Sequence, residues 1–283
     1  MNRPLLALAV LCFSGRMFVA QAPHDYPWRV EPSSETVAAR FPPPPGFTRL
    51  PAPAGSFAAW LAGLPLKPGN PPVKLYSGKL KGYQEGHAAV LDLDVGTRDL
   101  QQCADGVIRL RAEFLHASGQ NDSLCFNFTS GDAASWPRWW AGERPLVKGN
   151  KVSWKKSAAA DDSYANFKNY LQTVFNYAGS LSLSRQLSAV ADPKKIAPGD
   201  VFIHGGSPGH AVIVVDVVEN AQGRRQFMIA QSYMPAQEMH ILKNLKHGES
   251  PWYDADETGE LVTPEWTFAR NELKRFVKPG CAR

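Results

Sequence analysis

One cysteine stands near the start of a predicted long helix. The apolar spacing predicts this helix from about Leu100 to Ala117, with Asp99 as its N-cap and Gln102 at a capping-box distance. Cys103 then lies one turn into the helix, where the positive end of the helix dipole favours a thiolate. The same position also belongs to an apolar stripe that faces the core. Cys103 is therefore either a nucleophile or a buried core residue.

One histidine opens a predicted strand. His210 follows the glycine-rich loop 205–209 and precedes the apolar run 211–218. A histidine at the mouth of a buried strand, with open space beside it, is well placed to act as a general base. The alternative is a ring that is satisfied by a backbone carbonyl at the start of the strand.

A base needs an orienting partner, and the following strands offer two. The predicted hairpin turn lies at residues 220–223. It places Tyr233, a candidate substrate-binding residue, opposite His210, and it places Gln231 diagonally across on the same face, within about 7–8 Å between backbones. A slip of one residue would turn Gln231 to the other face. His240, on the next strand, is the alternative orienting group.

Three histidines could instead converge on a metal ion, namely His204, His210 and His240. The sequence has no H-E-x-x-H segment and no paired cysteines at zinc-ligand spacing, so we predict no metal site. It also has no G-x-S-x-G nucleophile elbow and no glycine loop with phosphate-binding spacing. We predict no cofactor.

Four tryptophans crowd an irregular stretch at residues 131–160. They are Trp136, Trp139, Trp140 and Trp154. Because tryptophan rings stack on sugar faces and line substrate grooves, the first three are candidate substrate-binding residues. The alternative is that the rings fill the core beneath this stretch.

The first residues are typical of a secretion signal. Residues 1–22 combine a positive start, an apolar run of about ten residues and an A-x-A exit. We therefore expect a periplasmic or secreted protein. Loss of the signal would leave Cys103, Cys125 and Cys281, an odd number that implies a free thiol or an intermolecular bridge in an oxidising compartment.

The composition and charge pattern limit the classes of partner that we expect. The formal net charge is +5, but lysine and arginine are scattered and never form a run longer than two. Nucleic-acid recognition needs a clustered basic face, so we predict no nucleic-acid partner. No later segment approaches the ~18 consecutive apolar residues of a membrane helix, so we predict no transmembrane segment.

The order of the elements indicates an α+β fold. Residues 23–55 are predicted to be an extended, proline-rich lead-in, and residues 56–283 a single domain that begins with a helix capped by Ser56. A second helix is predicted from about Tyr164 to Ala178, capped by Ser163. Antiparallel strands follow at 201–204, 211–218, 226–233 and 238–242. Helices followed by such a meander argue against a doubly wound parallel sheet.

Several stretches resemble a secreted bacterial family with no assigned function, across about residues 45–275. They are LPLKPG (64–69), LQQCADGVIRLRAEFL (100–115), FNFTSG (126–131), PGDVFI (198–203), PGHAVIVVD (208–216), AQSYMPAQ (230–237) and TPEW (263–266). We identify the chain as a member of that family, which by itself implies no reaction.

Part of the chain is also similar to the papain-like CHAP and NlpC-type cell-wall amidases and endopeptidases. A cysteine on a helix is followed much later by P-G-D-V and then by G-H-A-V-I-V-V. The resemblance implies a papain-like helix packed on an antiparallel sheet, here with the Trp-rich insertion. It also implies that Cys103 is the nucleophile, His210 its base and Gln231 the group that orients the base.

Two functions are consistent with these observations. The first is a cysteine hydrolase, an amidase or endopeptidase, that cleaves peptide or amide bonds of the cell wall through a thioester on Cys103. Its oxyanion would be held by the Cys103 N–H and the Gln102 side chain. The second is a non-catalytic periplasmic protein that binds a cell-wall glycan or peptide in the Trp-rich groove.

Overall fold

The computed structural model describes residues 26–29, 33–276 and 280–281. The helices are α1 (Val37–Arg40), α2 (Phe57–Ala62), α3 (Cys103–Ala117), α4 (Trp136–Trp140), α5 (Tyr164–Tyr177) and α6 (Ser180–Gln186). The strands are β1 (Phe47–Arg49), β2 (His87–Val90), β3 (Cys125–Asn127), β4 (Ala133–Ser135), β5 (Glu143–Lys148), β6 (Lys151–Lys156), β7 (Ser188–Ala189), β8 (Val201–His204), β9 (His210–Asn220), β10 (Arg225–Gln231), β11 (His240–Leu242), β12 (Tyr253–Asp254), β13 (Leu261–Val262), β14 (Thr267–Phe268) and β15 (Leu273–Arg275).

A large antiparallel sheet forms the centre of the fold. Within the described residues it has nine strands, in the order β2-β11-β10-β9-β8-β15-β7, with β1 beside β9 and β12 beside β10. The pairings along this sheet are antiparallel. The predicted α+β class with an antiparallel sheet is therefore confirmed.

The long strand β9 is buried on both faces. Ala211 and Ile213 lie in the core that contains helix α3, whereas Val212 and Val214 lie in a second core on the other side of the sheet. Successive side chains of a strand point to opposite faces. His210, the first residue of β9, therefore shares the face of Val212.

Helix α3 begins later than predicted. Gln102 is its N-cap, and the Asp105 carboxylate accepts a hydrogen bond from the Gln102 N–H at 3.1 Å. Asp99, the predicted cap, instead accepts the backbone N–H of Ala236 at 2.7 Å, so the predicted capping box is wrong. Cys103 consequently becomes the first residue of the helix, at the positive end of its dipole.

Two of the predicted caps are confirmed. The Ser56 hydroxyl accepts the backbone N–H of Ala59 at 3.2 Å at the start of α2. The Ser163 hydroxyl accepts the backbone N–H of Asn166 at 3.2 Å at the start of α5. In both cases a serine directly before an apolar helical pattern satisfies an otherwise unpaired backbone donor.

Residues 36–50 belong to the folded body. Val37 is buried in the main core, and β1 pairs with the far end of β9. The Arg49 side chain donates to the Asp216 carboxylate at 2.7 Å. The structure thus differs from the extended lead-in predicted for residues 23–55, because a short helix and a paired strand lie within it. The secretion signal predicted at residues 1–22 lies outside the described residues.

Candidate functional site

The thiol of Cys103 is free. Cys125 and Cys281 form a disulfide, which leaves Cys103 as the free cysteine of the part of the chain that the structure describes. Cys103 is 8% exposed. Cys103 therefore has a feature of both sequence interpretations. It lies at a helix N-terminus, as a nucleophile would, and it is largely buried, as a core residue would be.

The surroundings of Cys103 keep its thiol protonated at neutral pH. Burial raises its pKa to about 11, and the Asp105 carboxylate adds to the rise. The backbone N–H groups of Ala104, Ala211 and Cys103 itself oppose this by stabilising the thiolate and so lower the pKa. Ala211 directly follows His210 on β9. The sulfur therefore lies beside the start of the strand that carries the histidine.

His210 is bound by Gln231. The Nε2 atom of His210 lies 2.9 Å from Oε1 of Gln231. The amide nitrogen of Gln231 lies 2.6 Å from Oε2 of Glu265 and donates to it. Because the amide nitrogen faces the carboxylate, the amide oxygen faces His210, and an amide oxygen only accepts. Nε2 of His210 must therefore carry the ring proton.

The other ring nitrogen of His210 is a buried, bare acceptor. Nδ1 has no hydrogen-bond partner within the described residues. Burial lowers the pKa of His210 to about 4, although the hydrogen bond that its Nε2 donates to Gln231 opposes the shift. The ring is therefore neutral at pH 7, with a lone pair on Nδ1 that can take a proton. Among the described residues no hydrogen bond joins Nδ1 to the Cys103 sulfur, so a proton transfer between them would require the two side chains to approach.

Aromatic rings enclose His210. The ring centroids of Tyr233, Trp266 and Phe268 lie 4.7, 5.4 and 5.7 Å from that of His210. Burial raises the pKa of Tyr233, and the charges of Glu265 and Cys103 raise it further. Tyr233, which the hairpin register predicted opposite the histidine, thus lies near both halves of the site.

Gln231 reaches the histidine because the β9–β10 hairpin contains a register shift. Near the turn Gln226 pairs with Val218, whereas beyond the shift Ala230 pairs with Ile213. The second register is the one predicted from the sequence. If the first register continued, Gln231 would turn to the face that carries α3 and would lose the histidine.

Gln102, the predicted oxyanion donor, has a structural partner. Its side-chain nitrogen donates to Oδ1 of Asp99 at 3.1 Å, while its backbone forms the N-cap of α3. One of its two N–H donors is therefore already used. The role of Gln102 in holding an oxyanion stays a prediction.

Two of the candidate tryptophans are core residues. Trp136 is 1% exposed and Trp139 is 5% exposed. The indole N–H of Trp139 donates to Asn166 at 2.9 Å. Their ring faces are covered by protein, which favours the core alternative over a groove role for these two. Trp140 is 42% exposed, and its proposed role in binding stays a prediction.

The three histidines considered for a metal ion have separate partners. His204 is exposed, and its Nδ1 lies 2.5 Å from Glu272. His240 is buried, and its Nδ1 lies 2.9 Å from the backbone oxygen of Glu238. Across residues 26–29, 33–276 and 280–281, no group of three or more histidine, cysteine or acidic side chains is arranged to hold a metal ion.

Sequence reasoning missed two residues behind Gln231. Glu265 binds the amide of Gln231, and Lys81 forms an ion pair with Glu265 at 2.8 Å. Glu265 belongs to the segment TPEW (263–266), whose resemblance to the family implies no role for the glutamate. A lone glutamate in a turn carries no local signal of a buried partner.

Comparison with known proteins identifies the family. The chain matches the family model described as "Domain of unknown function (4846)" over residues 37–275 and belongs to that family. Membership of an uncharacterised family is thereby confirmed, with a match that begins before the predicted residue 45. No curated protein and no solved structure matches the chain. No helix among the described residues is long and apolar enough to cross a membrane.

Proposed function

We propose that this member of the family is a cysteine hydrolase with a papain-like arrangement of nucleophile and base. Its substrates would be peptide or amide bonds of the bacterial cell wall. The observation that carries the proposal is the state of the His210 ring: Nε2 is bonded to Gln231, and Nδ1 is buried without a partner. A buried acceptor left unpaired costs about 1–3 kcal/mol, so its retention is characteristic of a functional group.

The position of Cys103 supports the same proposal. It is a free thiol at the first position of a helix, and its sulfur lies beside the Ala211 amide. A nucleophile on a helix that packs against an antiparallel sheet, with its base at the start of a strand and the orienting amide on the next strand, is the arrangement that the papain-like resemblance implies. Nucleophile, base and orienting group also occur in that order along the chain.

The acylation step would proceed by general-base catalysis. Nδ1 of His210 takes the thiol proton of Cys103 while the sulfur attacks the carbonyl carbon and forms the S–C bond. The backbone N–H of Cys103, at the helix N-terminus, would stabilise the oxyanion. His210 then gives the proton to the departing amine nitrogen, and the C–N bond breaks.

Hydrolysis of the thioester would complete the cycle. A water molecule loses a proton to Nδ1 of His210 and attacks the thioester carbon. The S–C bond breaks, the acid product leaves, and the sulfur recovers the proton from His210. Because burial keeps the pKa of Cys103 high and that of His210 low, both groups are neutral in the free enzyme before acylation.

The disulfide supports a location outside the cytoplasm. Structural disulfides persist in oxidising compartments and are rare in the reducing cytosol. The Cys125–Cys281 bridge joins residues 156 positions apart, so it ties the end of the described chain to β3. Together with the signal-like residues 1–22, it supports a periplasmic or secreted protein.

The test is hydrolysis of cell-wall fragments followed by mass spectrometry of the products. Cys103→Ala and His210→Gln should each abolish product formation, whereas Arg138→Met, a change in an exposed ion pair, should keep the parent rate. Parent-level hydrolysis by Cys103→Ala would refute the proposal. So would a folded parent protein that releases no product from fragments that contain each type of wall amide bond.

A binding protein without turnover is the second candidate, and burial of the site favours it. Cys103 is 8% exposed and His210 only 1%. A separate open cleft of about 730 Å³ is lined by residues that include Trp28, Lys74 and Tyr76. In this case wall material should co-sediment with the protein, Tyr76→Ala should weaken that binding, and Cys103→Ala should not. Equal binding by Tyr76→Ala and the parent would count against the cleft.

A further inference from the structure

We infer that Glu265 is a positioning residue that determines which ring nitrogen of His210 carries the proton. The inference rests on the proposed function, because it concerns the base of that site. It can nevertheless be tested without any turnover, since it predicts the protonation pattern of one histidine ring.

The amide nitrogen of Gln231 faces two acceptors, one on Glu265 and one on His240. Its nitrogen lies 2.6 Å from Oε2 of Glu265 and 3.3 Å from Nε2 of His240. Nδ1 of His240 lies 2.9 Å from the backbone oxygen of Glu238 and must donate to it. The neutral His240 ring then leaves Nε2 as an acceptor. The two N–H groups of the Gln231 amide thus have one acceptor each, and only the oxygen remains for His210.

Of the two acceptors, the Glu265 carboxylate holds the orientation of the amide more strongly than the His240 ring does. Its contact is the shorter, and hydrogen bonds to an ionised acceptor are about twice as strong as neutral ones. A flipped amide would place its oxygen against the Glu265 carboxylate, where two acceptors repel. Lys81 forms an ion pair with Glu265 at 2.8 Å and also donates to the backbone oxygen of Tyr83, so the carboxylate is itself held in place.

The orientation of the Gln231 amide determines the protonation of His210, which is linked to Glu265 through two successive hydrogen bonds. With the amide fixed, Nε2 of His210 donates to Gln231 and Nδ1 stays bare. With the amide flipped, its N–H would point at His210, Nε2 would have to accept, and the ring proton would move to Nδ1. A protonated Nδ1 on a neutral ring cannot take the proton from Cys103. Glu265 therefore acts on the reaction through Gln231 and His210, without contact to a substrate.

The test uses ¹⁵N NMR of the full chain at neutral pH to measure which nitrogen of each histidine ring carries the proton. The seven histidines are labelled in the ring, and the His210 signals are assigned by their loss in His210→Gln. In the parent, Nε2 of His210 should be protonated and Nδ1 bare. Glu265→Gln has the same shape but can also donate, so it should add a second His210 signal set with Nδ1 protonated.

A matched control separates this effect from the general loss of a carboxylate near a histidine. Glu272→Gln removes the carboxylate that contacts the His204 ring, and it should leave the His210 pattern unchanged. Glu265→Asp keeps a carboxylate and should keep more of the parent pattern than Glu265→Gln. A protonated Nδ1 in the parent would overturn the inference without any variant, which decides the matter if Glu265→Gln fails to fold. A single, parent-like pattern in folded Glu265→Gln would overturn it as well.

Turnover separates the inference from the proposed function. If Cys103→Ala still hydrolyses wall fragments, the proposed function fails while the ring pattern continues to test Glu265. If hydrolysis needs Cys103, Glu265→Gln should lower kcat at least tenfold with little change in KM, and Glu265→Asp should recover part of the loss. A parent-like kcat in Glu265→Gln would refute the positioning role and leave the hydrolase intact.

Discussion

Cys103 should react with iodoacetamide slowly at neutral pH and faster as the pH rises. The thiolate is the reactive form, and burial raises the pKa of Cys103 to about 11 from an ordinary 9.0. At pH 7 the thiolate fraction would be about 1 in 10⁴, against about 1 in 10² for an ordinary thiol. Cys103 should therefore react about 100-fold more slowly than a free cysteine derivative, before any further slowing by limited access.

The assay follows alkylation of the Cys103 peptide by mass spectrometry between pH 6 and pH 10, with N-acetylcysteine as the reference. The rate should rise about tenfold per pH unit across this range without a plateau, since the whole range lies below the pKa. Cys103→Ser confirms the identity of the labelled peptide. A plateau below pH 8, or a rate at pH 7 equal to that of the free thiol, would refute the reasoning. The plateau would indicate a preformed thiolate–imidazolium pair, whereas the equal rate would indicate a thiol with an ordinary pKa.

Three further predictions concern His210, the buried ion pair of Arg109 and the disulfide. Hydrolysis by the proposed site should fall as the pH drops through about 4, because protonation of His210 removes the base, and a pH profile of kcat/KM checks this. Arg109→Met leaves the buried Glu113 carboxylate without its charged partner and should lower the free energy of unfolding by about 3–5 kcal/mol, measured by urea denaturation. The exposed Arg138→Met loses an ion pair with Glu143 and a cation–π contact with Trp154, and it should change the free energy of unfolding by about 1 kcal/mol or less, so a loss equal to that of Arg109→Met would contradict this expectation. Cys281→Ala removes the disulfide and should cost about 2–5 kcal/mol in the same assay, whereas an unchanged midpoint would show that the bridge does not stabilise the fold.

The parts of the fold that were predictable are those with local signals. The Ser163 cap and helix α5 follow from one serine and an apolar pattern of helical period within 15 residues. Strand β8 was predicted with the bounds observed, because a turn and a loop rich in glycine enclose it. Such elements need no knowledge of distant residues.

The parts that were not predictable depend on distant partners. Asp99 precedes an apolar helical pattern and is a good N-cap residue, but it binds the backbone of Ala236 instead, 137 positions away. Trp139 is buried, and its indole N–H is satisfied by Asn166, 27 positions away, whereas a sequence of aromatic residues in a loop does not show which of them will be covered. Glu265 binds Gln231 across 34 positions of the sequence, and the residues around Glu265 likewise give no sign of that contact.

The candidate site shows how a correct prediction can depend on an unpredicted feature. The expected register of the hairpin is present only beyond a shift that leaves Val215 of β9 unpaired. Next to it, the Asp216 carboxylate accepts the backbone N–H of Val217 and the side chain of Arg49. Arg49 lies on β1, inside the segment that the sequence assigned to an extended lead-in. Arg49 thus anchors β9 beside the register shift, and this shift sets the face on which Gln231 meets the histidine. Arg49 comes from a part of the chain that local reasoning placed outside the domain.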